Sequence, residues 1–311
     1  MFAGFESRLI ELEATPIFAG IAGDGPPLLL LHGFPETHLM WRDIAPILVQ
    51  KFTVVCADLR GYGQSGTPPS ASDHGPYAKR AMAEDMVKLM KRLGHDRFMV
   101  AGHDRGGRVA YRLALDHPSI VKKLAVLDII PTADAWSRAD ARFALSFWPW
   151  SLLAQPAPLP EDMIGVAADA VIRAALSGWG SPPSIFPEAV RANYAAMLRD
   201  PRHLHAICEE YRAAATLDRD HDAADRDAGK KIVCPTLALW SRDGGLAQWY
   251  LGEGGPLAIW RAWCEDVEGH AVAGGHFFPE EFPSETAQEL AGFFEAWDHG
   301  PTGPSAASPR P

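Results

Sequence analysis

The chain has 311 residues, 47% of them apolar, which suits one large α/β domain carrying an insertion. Its formal charge of −10 argues against a nucleic-acid partner or a basic membrane-surface patch, so an anionic substrate would need a local cluster of cations. No apolar run approaches bilayer length, and Glu6, Arg8, Glu11 and Glu13 interrupt the N-terminus where a signal peptide needs an apolar stretch.

Alternation of polar and apolar residues predicts strands at 8–13 and 17–21, followed by a turn at 23–27. Leu28, Leu29, Leu30 and Leu31 form a short continuous apolar run, the pattern of a central strand buried on both faces. A helix over 40–50, a strand over 53–57, a helix over 81–93 and a strand over 97–101 follow. A helix over 107–116, stopped by Pro118, leads to a strand over 123–127. Short apolar strands alternating with helices imply a parallel sheet covered on both faces. From 131 to about 226 the texture changes to Ala, Trp, Arg and Asp, with breaks at Pro156, Pro158, Pro160, Pro182 and Pro183. The expected organisation is an α/β core over 1–130 and 227–298, with a helical cap over 131–226. The core resumes with strands near 232–240 and 262–267 and a helix over 284–297. Residues 299–311, rich in Gly, Pro, Ser and Ala, are expected to be a disordered tail. Cys56, Cys208, Cys234 and Cys264 show no metal spacing and read as reduced core thiols of a cytosolic protein. His203 and His205, near Glu209 and Glu210, form no metal-ligand spacing either. The chain is therefore expected to use no metal or organic cofactor.

The chemistry concentrates in Gly102-His103-Asp104-Arg105-Gly106, between a predicted strand and a predicted helix. The pattern is a nucleophile elbow with aspartate in the nucleophile's place, and its small flanking residues let strand and helix pack closely. The residue type selects the reaction. A serine attacking saturated carbon would leave an ether that water does not cleave, whereas a carboxylate leaves an ester that water does cleave. His276, in Gly274-Gly275-His276-Phe277-Phe278-Pro279, lies where a general base belongs. Asp128 and Asp243 each end a strand after the elbow, and position alone does not choose between them as the acid that orients the imidazole. The backbone N–H groups of Phe34 and Arg105 are expected to form an oxyanion hole. Arg105 and Arg108 share a face of the elbow helix, so two guanidinium groups beside Asp104 suit a small carboxylate substrate and would keep Asp104 ionised.

The motifs His32-Gly33-Phe34-Pro35-Glu36, Asp58-Leu59-Arg60-Gly61-Tyr62-Gly63, Asp104-Arg105-Gly106-Gly107-Arg108, the segment 152–161 and Gly274 to Pro279 resemble the haloacetate (fluoroacetate) dehalogenases of the α/β-hydrolase fold. The likeness runs over 5–297. It implies that Asp104 displaces halide, that Arg105 and Arg108 hold the substrate carboxylate, and that His276 activates water. It favours Asp128 as the acid, and it implies a homodimer; Trp179, in Ser177-Gly178-Trp179-Gly180, is a candidate for an exposed contact. It places Trp150 and Tyr211 in a halide pocket. Pro149 stands where the family has a histidine, and proline has no side-chain donor. Chloroacetate or bromoacetate is therefore expected to be a better substrate than fluoroacetate. Two rivals stand beside this reading. One is an epoxide hydrolase, which would need two cap tyrosines, Tyr194 and Tyr211; the other is a non-catalytic binding protein of the same fold.

Overall fold

The computed structural model describes residues 4–295, so the expected tail lies outside the described residues. Within them, β1 (Glu6–Ile10), β2 (Ile17–Ala22), β3 (Pro27–Leu31), β4 (Thr53–Ala57), β5 (Phe98–His103), β6 (Val121–Leu127), β7 (Thr236–Ser241) and β8 (Val267–Val272) form one sheet, ordered β1-β2-β4-β3-β5-β6-β7-β8. β1–β2 and β2–β4 are antiparallel, and every pair from β4–β3 to β7–β8 is parallel. The leucines of β3 show why the sheet is central. Leu29 and Leu31 pack with Met82, Met86 and Val109 on one face, while Leu28 and Leu30 pack with Trp41, Ile44 and Phe294 on the other. All four are fully buried, which contributes roughly 1.5–3 kcal/mol each.

The strand order positions the site. The chain runs from β3 outward to β4 and returns to β5 on the opposite side of β3. The loops leaving the carboxyl ends of β3 and β5 therefore diverge and leave a crevice, the usual ligand position in an open parallel sheet. Phe34 follows β3 and Asp104 follows β5, so both lie at this crevice. Between β6 and β7 the chain is helical from Thr132–Ser137 to Leu217–Asp227.

Several expected elements shift. The helix expected over 40–50 breaks into a 3-10 turn, His38–Trp41, capped by the Thr37 hydroxyl, and a short helix, Ala45–Leu48, with Pro46 in its first turn. The first strand is Glu6–Ile10 rather than 8–13. The elbow helix starts at Asp104 itself and runs to Asp116. The strand expected at 262–267 lies later, at Val267–Val272, and Ile232 contributes only an isolated bridge to Cys264. The apolar stretch at 262–264 misled because it closes the helix Gly255–Arg261, where the Trp263 indole donates to Asp134 Oδ2 (2.7 Å). The true strand alternates half-buried and exposed residues, with Glu268 and His270 on its wet face, as an edge strand does.

Candidate active site

Asp104 sits at φ +43°, a left-handed conformation that costs a non-glycine residue roughly 1–3 kcal/mol. The tight turn is possible because its neighbours are small. A Cβ on Gly33 would lie 2.5 Å from the Asp104 Cβ, and one on Gly106 would lie 2.4 Å from the His32 carbonyl oxygen. The Phe34 N–H donates to Asp104 Oδ2 at 3.0 Å, which leaves Oδ1 as the other carboxylate oxygen. Of the two expected oxyanion donors only this one is engaged: among the described residues the Arg105 N–H donates to no carboxylate oxygen.

His276 follows β8, and its Nδ1 donates to Asp128 Oδ2 at 2.6 Å. With Nδ1 so engaged, Nε2 is the ring nitrogen left over. Asp128 Oδ1 accepts the Ser241 N–H (2.8 Å), which locks the carboxylate in plane. Asp128 also has a positive φ, +52°, that turns its side chain toward the loop after β8. Asp243 instead accepts the Gly274 N–H (3.3 Å), two residues before the histidine, and so pins that loop. Geometry thus separates two acids that position in the chain leaves tied. Asp128→Asn is expected to lower turnover by about 10³- to 10⁴-fold, because an amide there selects the wrong imidazole tautomer. Asp243→Asn keeps a carbonyl acceptor for Gly274 and is expected to stay within about tenfold of the parent. Steady-state rates of the two variants check this, and equal losses would refute the division of labour.

Asp104, Arg108, Asp128 and His276 open on one narrow slot, with only about 20 Å³ open to the centre of a water molecule. Phe143, Phe147, Pro149, Trp150, Trp179 and Tyr211 close it from the cap side, and Ile130, Leu246 and Tyr250 from the core. Space of that size suits a substrate of a few heavy atoms.

The two arginines differ. Arg105 is fully buried, and its Nε donates to Glu210 Oε1 (2.8 Å) and Oε2 (3.0 Å), with Nη2 2.6 Å from Oε1. Glu210 also takes Lys79 Nζ and the Tyr62 hydroxyl. Arg105 is absent from the slot wall. Its guanidinium lies 4.0 Å over the Tyr211 ring, and Nη1 has no partner. Arg108 lines the slot. It stacks 4.4 Å over the Trp150 ring and donates through Nη1 to Ile130 O (2.9 Å) and Thr132 Oγ1 (3.3 Å), both neutral. The two arginines expected to act together therefore differ in setting: Arg108 lines the slot with only neutral acceptors, whereas Arg105 lies against Tyr211 with its charge on Glu210 and Nη1 left over. Burial alone would push the Asp104 carboxyl up. His276, Arg105 and Arg108 more than offset this and hold it below the usual carboxylate range, so it is ionised at neutral pH.

Trp150 and Tyr211 both reach the slot, and among the described residues neither the indole N–H nor the phenol has a hydrogen-bond partner. Pro149 lines the slot from the first turn of the helix Trp148–Leu152. Trp179 is not an exposed contact. It is buried, its indole donates to Ser146 O (2.5 Å), and its ring stands edge-on to His276 at 5.3 Å. The reason is long-range: His276 N–H bonds the Trp179 carbonyl (2.8 Å), which draws the tryptophan into the site. Tyr194 lies outside the slot, its hydroxyl 3.4 Å from Glu280 Oε1. The slot's second phenol is Tyr250, just past the helix Gly245–Trp249, which nothing in the local sequence marked. His203 is engaged by Gly61 O and His205 by Glu161 and Ser70, while the four cysteines are buried free thiols.

A mostly parallel sheet, an aspartate elbow and a histidine paired with the acid after the neighbouring strand together define an α/β hydrolase. Residues 26–283 match the family model for the alpha/beta hydrolase fold, and the chain belongs to that family. Within it, the chain is haloacetate-dehalogenase-like. It is 42% identical over 295 residues to a fluoroacetate dehalogenase of a Burkholderia species, covering 94% of this chain and 95% of the relative. A soluble epoxide hydrolase of a Corynebacterium species is 33% identical, over 88% and 91% of the two chains. The crystal structure of an alpha/beta hydrolase from a Nostoc species superposes with a TM-score of 0.90 at 46% identity, covering 96% of this chain and all of that one. No described helix is long and apolar enough to cross a membrane.

Proposed function

We propose that the protein hydrolyses short 2-haloacids, haloacetate and water giving glycolate, halide and a proton. The observation that carries this reading is Arg108, an unneutralised guanidinium in the slot that holds Asp104. It anchors the substrate carboxylate, which brings the α-carbon toward Asp104. Asp104 Oδ1 attacks that carbon and the carbon–halogen bond breaks, leaving an ester. The halide departs toward the unpartnered Trp150 N–H and Tyr211 O–H. His276 Nε2 then takes a proton from water, and the hydroxide adds to the Asp104 carboxyl carbon. The developing charge falls on Oδ2, where the Phe34 N–H already points. Collapse expels glycolate, which takes the proton from His276, and the Asp104 carboxyl then loses the proton of the added hydroxyl to solvent, which restores the carboxylate.

Steady chloride release from chloroacetate tests this reading, and opening of a simple epoxide without any halide release would sink it. Leaving-group preference follows from Pro149. Fluoride is the smallest and most strongly hydrated of the halides and depends most on donors. Pro149→His is therefore expected to raise fluoroacetate turnover by about 10- to 150-fold, the worth of one hydrogen bond to a charged group, about 1.5–3 kcal/mol. It should act less on chloroacetate and least on bromoacetate. A gain on fluoroacetate no larger than that on chloroacetate removes Pro149 as the determinant.

A further inference from the structure

Behind the slot lie two buried carboxyl groups with no role in the steps above. Glu36 follows β3, and Glu280 belongs to the short helix Phe278–Glu281 just after His276. Both are buried and they contact one another through their side chains. Glu36 Oε2 meets His103 Nδ1 at 3.1 Å, and His103 Nε2 donates to the His276 carbonyl oxygen at 2.8 Å. Glu280 Oε1 takes Arg42 and lies 3.4 Å from the Tyr194 hydroxyl. The remaining oxygens, Glu36 Oε1 and Glu280 Oε2, receive no donor from any other described residue.

Proton counting decides what fills that gap. Three contacts stand in series: His276 O to His103 Nε2, His103 Nδ1 to Glu36 Oε2, and Glu36 to Glu280. Each needs a proton. With both carboxyl groups ionised, even a doubly protonated imidazole supplies only the first two. Two facing carboxylates without a proton would be a buried like-charge contact, which the interior does not tolerate.

We propose that Glu36 and Glu280 share one proton, and that this acid–carboxylate pair is a positioning device which holds His103, and through it the backbone of His276, against the elbow. The groups facing the pair are Arg42, Tyr194, His103, His276 and Asp104. Arg42 bonds Glu280 as an ion pair and His103 meets Glu36 at 3.1 Å, but neither places a proton between the two carboxyl groups themselves. Burial pushes the Glu36 carboxyl up to about 7, with Asp104 adding to the rise and Glu280 and His276 opposing it. Burial, then Glu36, push Glu280 well above the usual carboxylate range, against Arg42. A carboxyl raised on folding binds its proton more tightly in the native state than in the unfolded chain. The stability it supplies is complete below the ordinary carboxylate range and is lost as pH rises toward about 7. The pair titrates as a unit.

Glu280→Gln provides the test, because the glutamine carbonyl replaces Oε1 toward Arg42 and its NH₂ donates permanently to Glu36. Two readouts need no substrate, so loss of the dehalogenase reading would leave them standing. The first is Tm from pH 5 to 9, read as the difference between variant and parent so that other titrating groups cancel. The variant is expected to match the parent near pH 5 and to exceed it by a few degrees at pH 8. The second is the downfield proton resonance of His276 Nδ1–H on Asp128. The difference in its position between parent and variant is expected to appear with a midpoint near pH 7. Parallel Tm curves overturn the shared proton. Diverging Tm curves with superimposable proton resonances overturn its positioning role.

Discussion

Replacing His276 with asparagine is expected to stop the reaction after about one halide per active site. Displacement needs only the Asp104 carboxylate, which Arg105 and Arg108 still favour as the anion when His276 is gone and which the Phe34 N–H holds in place. It needs no base. Ester hydrolysis does need one, and His276 Nε2 is the group whose other nitrogen is anchored on Asp128 at 2.6 Å. Asparagine fills part of the same space without a basic nitrogen. Steady turnover should therefore fall by about 10²- to 10⁴-fold, the usual share of a general base, while the first turnover survives. Digestion and mass spectrometry after chloroacetate treatment should find a carboxymethyl group on the peptide containing Asp104. Asp104→Asn should show neither burst nor adduct. An unmodified peptide in the His276 variant, with halide release lost from the first turnover, would falsify the aspartyl ester. An adduct found elsewhere in the chain would move the nucleophile.

What the sequence made legible was local, and what it hid was long-range. The buried run Leu28 to Leu31 and the strand–elbow–helix around Asp104 are read from neighbouring residues, because period and turn chemistry act over a few positions. The edge strand Val267–Val272 was harder, since only one of its faces is buried and its apolar signal is weaker than that of the helix end before it. Asp128 and Asp243 look alike in the chain. Only register tells them apart, because β6 beside β7 brings the Ser241 N–H to Asp128. The unequal arginines are the clearest case. Their three-residue spacing shows a shared helix face, but the Glu210 that pairs with Arg105 is 105 positions away. Trp179 and Tyr250 enter the slot for similarly distant reasons.

That inequality sets the other large effect. Arg108→Leu is expected to lower kcat/KM for chloroacetate by about 10²- to 10³-fold, because removing one partner of a buried charge pair costs 2–5 kcal/mol. The charge it removes faces the slot, and its present acceptors, Ile130 O and Thr132 Oγ1, are neutral. Its aliphatic replacement still packs under Trp150, so folding should be little disturbed. Arg105→Leu does something different. It leaves Glu210 with Lys79 and Tyr62 in a buried cluster, and it removes the cation under Tyr211. Its loss should therefore appear chiefly as a lowered Tm. A neutral substrate separates the two roles. With chloroacetamide the Arg108→Leu penalty should shrink to within about tenfold, since no carboxylate remains to be anchored, whereas any penalty at Arg105 should be the same for both substrates. If Arg108→Leu loses as much on the amide as on the acid, the guanidinium serves Asp104 and not the substrate, and the slot's preference for a carboxylate has to come from elsewhere.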